Sequence, residues 1–244
     1  ATGLDLTMAG RTVSLACFYL TLPAIFLLLG RLGLARPQRW LALGFVLTCP
    51  LYIFFARAFL IETMALMFSA WFLVAFLRAV EQRSASGLLG ANLFGAAAGL
   101  VKVTTFMLFL LPAGLAAGLA LWSVRPRPAV PGWKPVAGVA GWITAGVLAP
   151  FAVTLAWLRF ADATKQLNPS AQFLMSGNLT DFNFGTAASR FSSETLHAHW
   201  QHLATAAVWP PVLVIVALAA GTLSRRWWRP LLLCLGCYVA ALVI

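Results

Sequence analysis

The sequence predicts an all-α integral membrane protein, a helical bundle of about eight transmembrane helices with one long outer loop. Three observations predict it. Hydrophobic residues make up 61% of the 244 and charged ones only 9%, against roughly 25% charged in a soluble domain. The polar surface is therefore too small to coat a water-soluble globule. Mean hydropathy is +0.89. The apolar residues come in continuous runs near the roughly 20 that cross a bilayer as a helix. They do not alternate with polar residues as barrel strands do.

Apolar length and flanking charge place each span. The first is expected at 12–30, closed by the basic loop "RLGLARPQR". The second is expected at 40–56, with Pro50 as a kink, and the third at 60–79, followed by "RAVEQRSASG". The fourth and fifth, 88–101 and 104–122, meet at Lys102 with almost no loop. After the Pro-rich, basic "SVRPRPAVPGWKP" comes a sixth at 136–158. The polar segment 159–205 is the outer loop, within a single domain covering 1–244. A seventh span at 208–223, "SRRWWRP" and an eighth at 230–244 complete the order. The chain opens on Ala1 and closes inside "LLLCLGCYVAALVI", which reads as a fragment at both ends. No cleavable signal peptide is visible.

Cations in alternate loops set the expected orientation. One side holds Arg31, Arg36, Arg39, Arg78, Arg83, Arg125, Arg127, Lys134, Arg225, Arg226 and Arg229; the other holds Arg11, Arg57, Lys102, Arg159, Lys165 and Arg190. The richer side is expected to be cytoplasmic. The net charge of +11 is then mostly a topology signal, with no nucleic-acid partner. Of the acids, Glu81 alone falls on the cytoplasmic side, while Asp5, Glu62, Asp162, Asp181 and Glu194 fall outside. Chemistry is expected on that outer face.

The four cysteines, Cys17, Cys49, Cys234 and Cys237, all fall in predicted spans. The CxxC spacing of the last pair sits in a bare apolar run, against a redox or metal role. His197, His199 and His202 invite a metal reading, but on a helix only the last two share a face, and no metal site is assigned. No P-loop, Rossmann glycine pattern or GxSxG element is present.

Arg11, Arg57 and Lys102 stand at outer ends of spans. An ionisable residue there is costly and faces a cavity or partner, unless it snorkels to the headgroups. Three on one face are expected to hold a phosphate or pyrophosphate. Glu62, five residues after Arg57, reads either as a helix-start carboxylate paired with Arg57, or as one that orients Arg57 or Lys102 or binds a sugar hydroxyl. Asp162, Lys165 and Asn178 of the outer loop are expected to shape the site or touch a sugar. Gly95 and Gly99 are expected to let neighbouring helices pack closely.

These stretches resemble a known family. "AGRTVSLACFYLTLPAIFLLLGRLGL", "CPLYIFFARAFLIETMALMFSAWFLVAFLRAV" and "GAAAGLVKVTTFMLFLLPAG" are similar to successive helices of the polytopic, lipid-phosphate-dependent glycosyltransferases of the GT-C class. That group includes protein O-mannosyltransferases and aminoarabinose transferases. The resemblance covers 9–120 and, more loosely, 159–190, without the family's first helix or C-terminal part. It implies a bacterial inner-membrane, multi-pass enzyme with its active face periplasmic. It would transfer a sugar with inversion from a polyprenyl-phosphate donor to a lipid, glycan or protein acceptor. Arg11, Arg57 and Lys102 match positions of donor-phosphate contacts, and Glu62 a site-shaping position. The family's catalytic acid lies after its first helix, so it is expected upstream of Ala1; "GLDLT" around Asp5 does not match the acidic motif. No cofactor is required by the pattern, with a divalent metal left open. The alternative is a non-enzymatic polytopic protein, a transporter or polyprenyl-lipid flippase, and a third reading is a structural subunit. A transporter places ionisable groups near mid-bilayer, whereas here they gather at one edge.

Overall fold

The computed structural model describes residues 5–48, 50–58, 60–123, 134–179, 185–186, 188 and 192–202. In chain order they form α1 (Leu6–Arg31), α2 (Arg36–Thr48), α3 (Pro50–Arg57), α4 (Glu62–Gln82), α5 (Ala85–Val101), α6 (Val103–Ser123), α7 (Lys134–Gln166), a 3₁₀ turn (Pro169–Leu174) and α8 (Ser193–His202). No strand occurs among the described residues. Four helices, α1, α4, α6 and α7, are long and apolar enough to cross a membrane, and α5 is a shorter apolar helix. The fold is all-helical, as a helical membrane protein requires. The spans expected at 208–223 and 230–244 lie outside the described residues. So do Cys49, Cys234, Cys237, Asp181 and Arg190, and with them Arg125, Arg127, Arg225, Arg226 and Arg229.

Several boundaries differ from the sequence reading. Helix α1 starts at Leu6 rather than near 12 because Asp5 caps it: its carboxylate accepts from the Thr7 amide at 3.2 Å, satisfying one orphan donor of the first turn. Arg11 therefore lies inside the helix. The expected second span is two helices, with Pro50 as first residue of α3, a position where its missing N–H is not needed. Neither helix alone is long enough to cross. Ser84 caps α5 by accepting from the Gly87 amide, and Arg83 ends α4 in the left-handed conformation (φ 51°). Helix α7 runs eight residues past the expected end at 158. "RFADATKQ" contains good helix formers and no breaker before Asn168 and Pro169. Arg159, Asp162 and Lys165 therefore sit on a helix, not in a loop.

The chain alternates between two ends of the bundle. Lys102 meets Glu62 at one end, and Arg31 meets Glu81 at the other. Helix α4 is central: 61% of its apolar window is buried, against 28% or less for the other three. Its neighbours are α1, α5 and α6. Phe72 and Phe76, both fully buried, stack at 5.7 Å, and Phe106 meets Phe72 edge-on at 5.1 Å, geometries that aromatic quadrupoles favour.

Small residues set the approach of α5 to its neighbours. A Cβ on Gly95 would lie 2.9 Å from Phe72 and Pro150, and one on Gly99 would lie 1.9 Å from Thr154 Oγ1. The expectation that these glycines permit close packing holds, with α4 and α7 as the partners.

Polar bonds cross between helices where Pro23 interrupts α1. Pro23 lacks an N–H and its ring crowds the carbonyl four residues back. The carbonyls flanking that position accept from other helices: Trp71 Nε1 donates to Leu20 O at 2.9 Å, and Tyr52 Oη lies 3.5 Å from Phe18 O. Trp71→Phe keeps the ring packing and removes one interhelical bond. It should cost about 0.6–1 kcal/mol, measured as chemical or thermal unfolding in detergent. An unchanged midpoint would show that the bond contributes nothing.

Candidate functional site

Lys102 is a one-residue break between α5 and α6, with extended backbone (φ −159°, ψ 99°). Lys102 keeps its own backbone bonds across the break: its N–H donates to Ala98 O at 2.9 Å, and its carbonyl accepts from the Phe106 amide at 3.2 Å. Antiparallel packing brings Gly87 beside Ala79 and Gly95 beside Phe72. Continuing that register carries residue 102 to the first turn of α4, where Glu62 is the first helical residue. Lys102 Nζ donates to Glu62 Oε1 at 2.8 Å, with both side chains about one-third exposed (34% and 31%).

Glu62 thus pairs with Lys102, not with Arg57. Arg57 closes α3 and is exposed. There its charge faces the negative end of the helix dipole, while Glu62 sits at the positive end of α4. The link between them reverses the chain, so the two leave on different helices. The second carboxylate oxygen, Glu62 Oε2, is shielded from solvent and, like the neighbouring Thr63 Oγ1, has no side-chain partner among the described residues; the carboxylate also meets its own backbone N–H at the start of α4. A shielded acceptor left unmet costs about 1–3 kcal/mol, so Oε2 is available to a further donor.

Arg11 lies at the same end. Ser14, one turn further along α1, donates to Leu60 O at 3.2 Å in the α3–α4 link. That contact brings the start of α1 against the link that carries Arg57 on one side and Glu62 on the other. Arg11 is exposed. Among the described residues neither Arg11 nor Arg57 has a carboxylate partner within 4.0 Å. Among the described residues the end therefore holds one compensated cation, Lys102, and two uncompensated ones.

Asp162, Lys165 and Asn178 all bond to the segment around the 3₁₀ turn that follows α7. Asp162 Oδ1 accepts from the Ser176 amide at 3.1 Å and from Lys165 Nζ at 3.4 Å. Lys165 Nζ also donates to Leu174 O at 2.7 Å, and Asn178 Nδ2 to Gln172 O at 2.9 Å. Asp162 and Lys165 fasten the turn to the end of α7, and Asn178 ties the 3₁₀ turn to the residues that follow it. Sequence spacing gave no sign of this, because the fold-back joins residues 9 to 14 apart through backbone groups.

His197 lies on α8 with its Nε2 2.9 Å from Gln201 Nε2. Among the described residues no three His, Cys, Asp or Glu side chains converge for a metal ion. Asn92, which the sequence reading did not single out, lines an open groove between α5 and α7 with Gly141, Thr144, Ala145 and Leu148. This groove lies at mid-bundle, away from the Glu62–Lys102 pair.

The arrangement can bind a group that carries both negative charge and a hydroxyl. Three cations supply donors for an oxyanion, and the second carboxylate oxygen of Glu62 accepts an O–H. Comparison with protein-family models, curated proteins and solved structures finds no match for this chain.

Proposed function

We propose that this end of the bundle holds the phosphate and sugar of a polyprenyl-phosphate-linked donor, and that the chain belongs to an inverting, membrane-embedded glycosyltransferase. The acceptor on this reading is a lipid, glycan or protein at the periplasmic face of a bacterial inner membrane. The carrying observation is the Glu62–Lys102 pair in the break between two apolar helices, with one carboxylate oxygen left without a side-chain partner among the described residues.

The chemistry follows from the geometry. Breaking a sugar–phosphate bond leaves charge on the lipid phosphate, and cations gathered at that place stabilise it. Lys102 is held in place by Glu62, and Arg11 and Arg57 have no carboxylate partner among the described residues. Glu62 Oε2 accepts a sugar hydroxyl. A general base must still take the acceptor's proton, and none of the described residues is assigned that role. The isoprenoid tail remains in lipid, which is why the cations belong at the ends of apolar helices.

The test uses the full chain in nanodiscs with two ligands that share one tail, a polyprenyl monophosphate and the corresponding polyprenyl alcohol. The phosphate should bind about tenfold tighter or more, the 1.4 kcal/mol or so of a charge-assisted hydrogen bond. Higher salt should narrow the difference, since Arg11 and Arg57 are exposed. Equal affinity for the two ligands would sink the donor-phosphate reading.

A further inference from the structure

The far end of α7 and the 3₁₀ turn that follows carry an apolar patch facing outward. Leu167 is 85% exposed, Phe173 65% and Phe160 62%, with Trp157 and Leu174 also exposed. Trp157 and Phe160 touch at a ring separation of 5.7 Å. A surface of this kind marks a protein–protein or membrane contact.

Three observations select the membrane. Helix α7 has 33 residues, about 50 Å at 1.5 Å per residue. The hydrocarbon core is about 30 Å thick, and about 40–45 Å with the headgroup regions. With its apolar part across the core, the turn of α7 at Phe160 thus lies at headgroup depth and the end of the helix reaches beyond it. Next, the chain after Asn168 turns back. The Ser176 amide reaches Asp162, and Leu174 O reaches Lys165, so residues 169–176 descend beside α7 toward the level of Phe160. Finally, the turn meets its own polar needs. Asn168 Oδ1 accepts from the Ser170 amide, Asn178 donates to Gln172 O, and the Met175 amide donates to Gln172 O. Irregular backbone is tolerated near lipid only where its polar groups are satisfied.

From these we infer that the end of α7 and the folded-back turn form a membrane-dipping hairpin, with Phe160 and Phe173 bedded at the boundary between headgroups and acyl chains. Asp162, Lys165 and Asn178 are its fasteners. The hairpin is a fixed feature of the interface whether or not the protein transfers sugar.

A nitroxide on Phe173→Cys in the full chain, with Cys17, Cys49, Cys234 and Cys237 replaced by alanine, tests this in nanodiscs. Power-saturation measurements compare collisions with oxygen, concentrated among acyl chains, and with a water-soluble nickel chelate. The label should be open to oxygen and lose nickel access. Adding Asp162→Ala, which unfastens the turn, should restore nickel access. Phe160→Cys gives the same reading if Phe173→Cys does not fold. A label as open to nickel as a free nitroxide in water overturns the inference. So does a label shielded from both reagents, since the patch would then be covered by protein, whether this chain or a second copy.

Discussion

Gly99→Ala should lower the stability of the full chain by about 3 kcal/mol, the sum of overpacking and one lost hydrogen bond. For a chain of this size that is a fall of roughly 6–12 °C in thermal midpoint. The added Cβ would stand 1.9 Å from Thr154 Oγ1 and 3.0 Å from Thr154 Cβ. Thr154 is buried, and its hydroxyl donates to Pro150 O at 2.8 Å. Rotating that side chain away gives up the bond, and separating α5 from α7 loosens packing along both helices. Gly118→Ala is the matched control: nothing lies within 4 Å of its Cβ position, so the change should be neutral or gain up to about 1 kcal/mol in helix propensity. Combining Gly99→Ala with Thr154→Ala removes Oγ1 and Cγ2 of Thr154, leaves only its Cβ at 3.0 Å, and should recover most of the loss, a coupling of about 1–2 kcal/mol. A Gly99→Ala protein as stable as the Gly118→Ala control would show that α5 and α7 do not pack as described.

The packing partner of Gly99 could not be read from the sequence, although the need for a small residue could. Gly95 and Gly99 announce a close approach because glycine in a helix has no other advantage. Nothing local names Thr154 or Pro150 as what approaches. The same division runs through the candidate site. The costs of Glu62 and Lys102 were visible because charge in apolar sequence stands out. Their pairing was not, because a five-residue spacing favours Arg57, while the true partner is set by the antiparallel register of α4 and α5. Asp162, Lys165 and Asn178 were legible as polar, but their partners are backbone groups of a turn that no periodicity predicts. Asp5 carried a readable signal that was passed over: an N-cap residue ahead of an apolar run moves the start of α1 to Leu6 and places Arg11 within the helix. The four long spans, α1, α4, α6 and α7, were the most legible, since apolar length depends on no partner.

The Glu62–Lys102 pair allows a structural role to be separated from ligand binding, and the largest effect on function is expected there. Lys102→Met keeps the length of the side chain and removes its charge. It leaves Glu62 without its partner in a setting about one-third exposed. The stability cost should fall between that of exposed and buried pairs, about 1–3 kcal/mol. Affinity for a polyprenyl monophosphate should fall about 10- to 100-fold, the loss of one hydrogen bond between charged groups. Adding Glu62→Gln removes the stranded charge and should restore stability without restoring affinity; a purely structural pair would restore both. Glu62→Gln alone splits the reading further. Releasing Lys102 from its counter-charge should leave affinity for the bare lipid phosphate unchanged or raised. Affinity for a sugar-bearing donor should fall, because an uncharged amide accepts a sugar hydroxyl more weakly than a carboxylate. Parallel loss of both ligands would show that Glu62 only positions Lys102, and unchanged affinity in Lys102→Met would remove Lys102 from the donor site.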